Sequence, residues 1–223
     1  MNTIVSIFGA NASGKSSLVR ALMDHLGERT PFQFDNKEAG YRFIRPDGSR
    51  IYVLGKYTTA CGGLDATFSG GPYCASPTCG KPRKDKGKTC THCGGPLRKA
   101  ADDCIEVVDQ LAATGDVVCE GVIAMSSWGH SRLVDLAQDQ KAKGRRVIYA
   151  LLSPPWDVVL DRLTKRQAAS DRVRKTPFDP EKTVRSKHNG MVGTIEKLKA
   201  AGCDARTMNW EDPLPELLEW LGL

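Results

Sequence analysis

The residues most able to carry chemistry form a glycine-rich run near the start of the chain. The run is Gly9-Ala10-Asn11-Ala12-Ser13-Gly14-Lys15-Ser16-Ser17, which contains the complete phosphate-loop pattern G-x-x-x-x-G-K-[ST]. In such a loop the backbone N–H groups converge on one point, and the helix that follows adds the positive end of its dipole. Lys15 then reaches the β- and γ-phosphates, and the Ser16 hydroxyl ligates Mg²⁺. We therefore predict a nucleoside triphosphate site formed by Gly9, Asn11, Ala12, Ser13, Gly14, Lys15, Ser16 and Ser17.

Two cysteine pairs form a second candidate site. Cys74 and Cys79 are separated from Cys90 and Cys93 by ten residues, and a glycine follows the second cysteine of each pair. Tetrahedral Zn²⁺ is commonly bound by four thiolates supplied in two short turns, and a site with no open position is structural. The spacing predicts a structural zinc site in an insertion over residues 73–97. Four independent, reduced cysteines are the alternative.

Two arginines, Arg162 and Arg166, lie four residues apart and therefore on one face of a predicted helix. They begin a basic stretch that resembles the lid of nucleotide kinases, which we place at about residues 162–180. A lid closes over the donor nucleotide and brings arginines to the transferring phosphoryl group. The alternative is a pair of surface arginines that form ion pairs with Asp161 and its neighbours.

Three carboxylates are candidates for the remaining roles in phosphoryl transfer. Glu120 follows a short apolar run and is predicted to contribute to the Mg²⁺ site, although an exposed strand-end carboxylate is equally compatible with its position. The acceptor hydroxyl needs a general base. Asp65 is the preferred candidate because its loop is glycine-rich and follows a strand, and Asp35 is the second candidate. A turn or helix-cap role is the alternative for either aspartate.

The charge of the chain is unevenly distributed. The net charge is +6, but residues 81–99 carry seven lysines and arginines against one acid, and residues 162–187 carry nine against three. The rest of the chain is therefore net negative. Two basic segments in an otherwise acidic protein indicate contact with phosphate at two places, although a solvated surface is the usual explanation of a single charge run.

The order of the predicted elements indicates an α/β fold. Apolar strands alternate with helices, and the segments 41–44 and 50–54 flank a turn as a hairpin would. The order resembles the nucleotide-kinase type of P-loop NTPase, which implies a mostly parallel five-stranded sheet with helices on both faces. The 223 residues suit one kinase domain, residues 1–72 and 98–223, interrupted by the zinc-binding insertion. Because no run of about 18 apolar residues is present, we expect a cytoplasmic protein with no membrane partner.

Several of these motifs together resemble the phage P-loop kinases of thymidine hypermodification, the 5-hydroxymethyluracil DNA kinases. The resemblance rests on the phosphate loop, on Gly55-Lys56-Tyr57 followed by Cys61-Gly62-Gly63-Leu64-Asp65, on Glu120-Gly121 and on the two lid arginines. It implies transfer of the γ-phosphate of ATP to the hydroxymethyl oxygen of 5-hydroxymethyluracil within DNA, in the cytoplasm of the infected host. The partners would be ATP and modified DNA, and the cofactors would be Mg²⁺ and structural Zn²⁺. The oligomeric state is left open.

Two other functions are compatible with the same motifs. A small-molecule nucleoside or nucleotide kinase would need a closed acceptor pocket, whereas a P-loop ATPase or DNA-binding regulator would hydrolyse ATP without phosphorylating an acceptor. A kinase that acts on a base in DNA must draw that base out of the stack or use single strands. Four aromatic side chains are candidates to stack on the base, with core packing as the alternative for each: Tyr57, Tyr73, Trp128 and Trp210.

Overall fold

The fold is that of a computed structural model. The structure describes residues 1–34, 37–57, 63–64, 73–74, 79, 89–90, 92–95, 97–98, 100–169 and 179–223. Statements about contacts in the following paragraphs concern these residues.

Strands and helices alternate along most of the described chain. The strands are β1 Thr3–Phe8, β2 Thr30–Phe34, β3 Lys37–Ile44, β4 Arg50–Leu54, β5 Tyr73–Cys74, β6 Leu97–Arg98, β7 Asp116–Glu120, β8 Arg146–Leu151 and β9 Asp204–Thr207. The helices are α1 Lys15–Leu26, α2 Ala100–Ala112, α3 Val122–Ala142, α4 Trp156–Ala168, α5 Ser186–Ala200 and α6 Leu214–Leu221. A π-helical turn, Glu181–Arg185, leads directly into α5.

Within the described residues, seven strands form the main sheet in the order β2-β3-β4-β7-β1-β8-β9. The strands β4, β7, β1, β8 and β9 run parallel to one another. The strands β2 and β3 are antiparallel and extend the sheet at the β4 edge. A separate antiparallel pair, β5 and β6, lies in the cysteine-rich segment. The predicted α/β class and mostly parallel sheet are therefore confirmed.

The predicted number of five strands was not confirmed, because the main sheet has two antiparallel strands in addition to its five parallel ones. The hairpin formed by β3 and β4 was anticipated, but β2 was interpreted only as a break in the pattern after the first helix. The segment 30–34 contains a proline and has an exposed and half-buried pattern rather than a buried one. Such a strand is typical of a sheet edge, where proline costs no ladder hydrogen bond, and its weak apolar pattern explains why the sequence did not reveal it.

Helices cover both faces of the sheet because its central strands are apolar on both sides. On one face, Ile4, Val117 and Tyr149 pack against α2, α3 and α5. On the other, Val5, Val118 and Ile148 pack against α1 and α6. Parallel strands covered in this way read as continuous apolar runs, which is the pattern of β1 and β7.

The carboxyl ends of β7, β1 and β8 meet at one edge of the sheet. The register pairs Ile7 of β1 with Glu120 of β7 and with Ala150 of β8. In open parallel sheets, ligands bind outside this edge. The phosphate loop after β1, Glu120 at the end of β7 and the segment after β8 are consequently neighbours in space.

Candidate active site

The phosphate loop connects the central strand β1 to α1 and is held by its own hydrogen bonds. Ser13 N–H donates to the Ala10 carbonyl at 3.2 Å. The buried Lys15 amine donates to the carbonyls of Gly9 at 2.8 Å and Ala10 at 3.0 Å. Ala12 has a φ of 66°, a left-handed conformation that side-chain-bearing residues seldom adopt and that often marks a functional site. The loop is therefore folded around its lysine as a compact cradle.

The Ser16 hydroxyl and the Glu120 carboxylate are in direct contact. Ser16 Oγ donates to Glu120 Oε1 at 2.7 Å, and Glu120 is only 2% exposed. Ser16 lies in the first turn of α1, and Glu120 is the last residue of β7. The hydroxyl and carboxylate oxygens that Mg²⁺ prefers are thus placed side by side next to the phosphate loop. These residues fit the predicted metal site.

Arg162 and Arg166 face the phosphate loop from α4. Arg162 donates to the Ser13 carbonyl at 3.3 Å, and its guanidinium carbon lies 5.8 Å from the ring centre of Trp210. Both arginines line the same cavity as Lys15. The ion pair of Asp161 is made with Lys165, one turn further along the same helix, at 2.8 Å. Asp161 thus pairs with a lysine of the same helix, and the role of the two arginines as lid residues stays a prediction.

One open cavity of about 970 Å³ combines the phosphate loop with these groups. Its volume is at the upper end of the range that holds small ligands. Among its lining residues are Asn11–Leu18, Glu120, Arg162, Arg166 and the segment Trp210–Leu214. The cavity therefore brings together the predicted phosphate-binding residues other than Gly9, the two predicted Mg²⁺ ligands and the two lid arginines.

The segment Trp210–Leu214 was not predicted to form this wall of the cavity. Trp210 was considered only as a stacking partner for a DNA base. It lies just after β9, and Glu216 accepts a hydrogen bond from Asn209 N–H at 2.8 Å, which ties the turn to α6. The signal that could have located it is its position after the last parallel strand, because ligands gather at such strand ends.

The loop after β4 is joined to the end of β7 through Gly63. Gly63 N–H donates to the Lys56 carbonyl at 3.1 Å, and Gly63 lies against Glu120. Tyr57 is buried in the core beside β4, and its hydroxyl donates to the Leu54 carbonyl at 3.3 Å. Tyr57 therefore packs in the core, the alternative considered above to stacking on a base. Asp65 and Asp35, the two candidate bases, lie outside the described residues, as do the side chains of Tyr73 and Trp128.

The four predicted zinc ligands converge on one point. The sulfur atoms of Cys74, Cys79, Cys90 and Cys93 all lie within 4.8 Å of one another. The distances are 3.3 Å from Cys74 to Cys93 and 3.8 Å from Cys79 to Cys90. A tetrahedral site with Zn–S bonds of about 2.3 Å separates its sulfurs by about 3.8 Å. The cluster can therefore hold a zinc ion.

The electrostatics of Cys90 favour its metal-binding form. Backbone N–H groups of Cys93 and His92 donate to the Cys90 sulfur, and these bonds lower the pKa of its thiol to about 6. The turn is closed by Cys90 N–H donating to Gly95 O and by Gly94 N–H donating to Cys90 O, both at 2.8 Å. A thiolate that accepts backbone hydrogen bonds is the form that coordinates metal. By contrast, burial raises the pKa of Cys119 to about 11, as suits a core cysteine.

No protein-family model matches the chain. The chain is 27% identical over 205 residues to a curated protein of Pseudomonas phage PaMx11 named 5-hmdU DNA kinase, and the match covers 89% of this chain and 86% of that protein. The family resemblance is confirmed. Because the relative is a kinase and the similarity extends over almost the whole chain, the comparison also confirms the prediction of a phosphotransferase.

No helix of the described residues combines the length and the apolar composition needed to cross a membrane. The longest, α3, covers 21 residues but includes charged side chains such as Arg132, Asp135 and Lys141.

Proposed function

We propose that the protein is an ATP-dependent kinase that transfers the γ-phosphate to the hydroxymethyl group of 5-hydroxymethyluracil in DNA, a step of thymidine hypermodification. The main support is the single cavity in which a phosphate loop, a hydroxyl–carboxylate pair and two arginines face one another. The similarity to a phage 5-hmdU DNA kinase supports the choice of acceptor.

ATP enters this proposal as the phosphoryl donor. Its phosphates lie in the cradle of backbone N–H groups, and the Lys15 amine exchanges the Gly9 and Ala10 carbonyls for phosphate oxygens. The base extends toward Trp210, whose ring already stacks with a guanidinium. Ser16 and Glu120 would hold Mg²⁺, which would supply neutralisation of the negative charge of the triphosphate.

Arg162 and Arg166 complete the neutralisation of charge. The acceptor oxygen forms a bond to the γ-phosphorus while the bond from that phosphorus to the leaving oxygen of ADP breaks, and negative charge shifts to the leaving group. Arg162 is already positioned over the loop by its bond to the Ser13 carbonyl. Donors fixed before the reaction stabilise this charge without the cost of reorganising water.

The hydroxyl proton of the acceptor passes to a carboxylate. We assign this base to Asp65, and Asp35 is the second candidate. Asp65 is two residues beyond Gly63, the residue that lies against Glu120. This nearness in sequence to a residue beside the proposed metal site favours Asp65 as the base.

A basic stretch of sequence that begins with the two cavity-lining arginines favours DNA over a free nucleoside as acceptor. The described cations of α4, the π-helical turn and the start of α5 are largely exposed: Lys165, Arg166, Lys182, Arg185 and Lys187. Clustered exposed cations are the electrostatic signature of contact with a nucleic-acid backbone. The cysteine cluster is proposed to hold a structural Zn²⁺ that folds the second basic segment in the insertion over residues 73–97.

The decisive experiment follows the label from ATP labelled on its γ-phosphate. The protein is incubated with double- and single-stranded DNA containing 5-hydroxymethyluracil, with the same DNA containing thymine, and with free 5-hydroxymethyl-2′-deoxyuridine or its monophosphate. Label that appears in the modified DNA and not in thymine DNA supports the proposal. Label that enters only the free compounds would identify a small-molecule kinase, and release of inorganic phosphate without a labelled acceptor would identify an ATPase.

A further inference from the structure

Two glycines, Gly55 and Gly63, lie between β4 and the Glu120 carboxylate. They are not among the predicted catalytic residues. Gly55 follows β4 with a φ of 116°, and Gly63 has a φ of 82°. Both conformations are in the region that side-chain-bearing residues rarely adopt. Gly63 is therefore suited to a tight turn, but its surroundings indicate a second requirement.

The second requirement is the absence of a side chain, because neighbouring atoms occupy the space that a Cβ would take. A methyl group on Gly63 would overlap with the Glu120 side chain, whose carboxyl carbon would be 2.5 Å away, and with the Glu120 carbonyl oxygen at 2.6 Å. A methyl group on Gly55 would lie 2.5 Å from Cα of Gly63. The two glycines thus form a backbone wall, Gly55 against Gly63 and Gly63 against Glu120.

The wall closes one side of the space available to the Glu120 side chain. On another side, the Ser16 hydroxyl donates to Oε1 of the same carboxylate at 2.7 Å. A glutamate side chain has several rotatable bonds and loses conformational freedom when it is fixed. Because packing excludes the other rotamers, this freedom is lost when the chain folds, and it does not weaken ligand binding.

We propose that Gly63 is a positioning residue for the Glu120 carboxylate, and that Gly55, which packs against Gly63, keeps Gly63 in place. The glycines keep the backbone of the loop close enough to hold the carboxylate beside Ser16, where both oxygens can serve Mg²⁺. This inference rests on the metal–ATP part of the proposed function and is independent of the acceptor.

The chain offers a matched control at Gly48. This glycine has nearly the same φ as Gly63, 81°, but a methyl group on it would meet no atom of the described residues within 4 Å. Gly48→Ala therefore introduces the unfavourable backbone conformation without crowding a carboxylate. A difference between Gly63→Ala and Gly48→Ala reports the close approach alone.

The test measures the affinity of a non-hydrolysable ATP analogue by calorimetry, with and without Mg²⁺, for the intact wild-type chain and for Gly63→Ala, Gly55→Ala and Gly48→Ala. The ratio of the two affinities isolates the contribution of the metal. We expect Gly63→Ala to reduce this ratio by about 10- to 100-fold, the usual effect of losing a group that orients a metal ligand. Gly55→Ala reduces it less, and Gly48→Ala leaves it unchanged. Affinity without metal stays close to wild type in all three.

Several outcomes would overturn the inference. These are an unchanged ratio in both Gly63→Ala and Gly55→Ala, an equal loss of affinity with and without Mg²⁺, and an equal effect of Gly48→Ala. If neither crowded variant folds while Gly48→Ala does, the close approach serves the fold rather than the carboxylate, and the inference also fails. Failure of the proposed function is seen separately in the wild type: no analogue binding rejects the nucleotide site, whereas binding without label transfer to DNA rejects only the acceptor.

Discussion

The phosphate loop and the four-cysteine cluster both present a small space for a charged ligand, but they are held in place by different means. The loop is continuous with a fully buried strand, and its Ala10 packs against Val159, Leu163 and Val184. The cluster is attached to a sheet of two short strands with two residues each. Among its own residues, Cys74 and Cys90 are the buried ones.

This contrast in structural support indicates which of the two sites depends on its ligand. Hydrophobic burial and backbone hydrogen bonds of the main fold shape the phosphate loop, so its form does not require a nucleotide. A two-stranded sheet is marginally stable alone, and a small module without a large core usually needs metal or disulfides. We therefore expect that a substitution can disrupt one site and leave the other intact. Rates of phosphoryl transfer and affinities for nucleotide measure this separation.

The largest effect is expected for Lys15→Ala. The amine is buried in the cradle and is the charged group that we propose contacts the γ-phosphate, so its removal should lower the rate of transfer by more than about 10³-fold. Initial rates with labelled ATP measure this loss. The melting temperature and zinc content should stay near those of wild type.

Lys199→Ala is the control for Lys15→Ala, because this lysine is exposed and pairs with Glu196 on α5. It should leave the rate unchanged. A rate of Lys15→Ala within tenfold of wild type would show that the loop does not take part in transfer.

Arg162→Ala should have the next largest effect. We expect kcat to fall by about 10²- to 10³-fold, with a smaller change in KM for ATP, because in the proposed mechanism the guanidinium stabilises charge that develops during transfer. Lys165→Ala is the matched control: it removes a cation from the same helix, on the face that pairs with Asp161. Equal losses in the two variants would mean that the basic character of the helix matters, and not the arginine above the loop.

The phosphate loop, the four cysteines and the pairing of arginines on one helix face could be recognised in the sequence because each depends on local spacing. Helix periodicity places Arg162 and Arg166 together, and the structure lines one cavity with both. Likewise, Glu120 was considered because it ends an apolar run, and the parallel register of β1 and β7 brings it to the phosphate loop.

The features that the sequence did not reveal depend on contacts between distant segments. Trp210 reaches the cavity because β9 pairs with β8, a pairing that no local pattern predicts. The role of Gly63 arises because β4 lies beside β7. The edge strand β2 was missed because one of its faces is exposed and carries little apolar signal.

Trp210→Ala should have a moderate effect on nucleotide binding. Stacking of a base on an aromatic ring contributes about 1–3 kcal/mol, so KM for ATP should rise by about tenfold or more while kcat changes less. Calorimetry with an ATP analogue measures the affinity, and Trp210→Phe should retain most of it. If the affinity for DNA falls and that for the analogue does not, Trp210 stacks on the target base instead.

The smallest effect on nucleotide binding is expected for Cys74→Ser, which removes one buried sulfur of the cluster. Zinc content should fall, and proteolytic cleavage between residues 74 and 97 should become faster, because three thiolates and two short strands do not keep the module folded. Affinity for the ATP analogue should stay within about twofold of wild type, since the phosphate loop is shaped by the main sheet. Cys203→Ser, outside the cluster, should change none of these quantities.

A tenfold loss of analogue affinity in Cys74→Ser would show that the cluster and the phosphate loop are coupled. Zinc-free wild-type protein with unchanged proteolysis would show that the thiols act without metal.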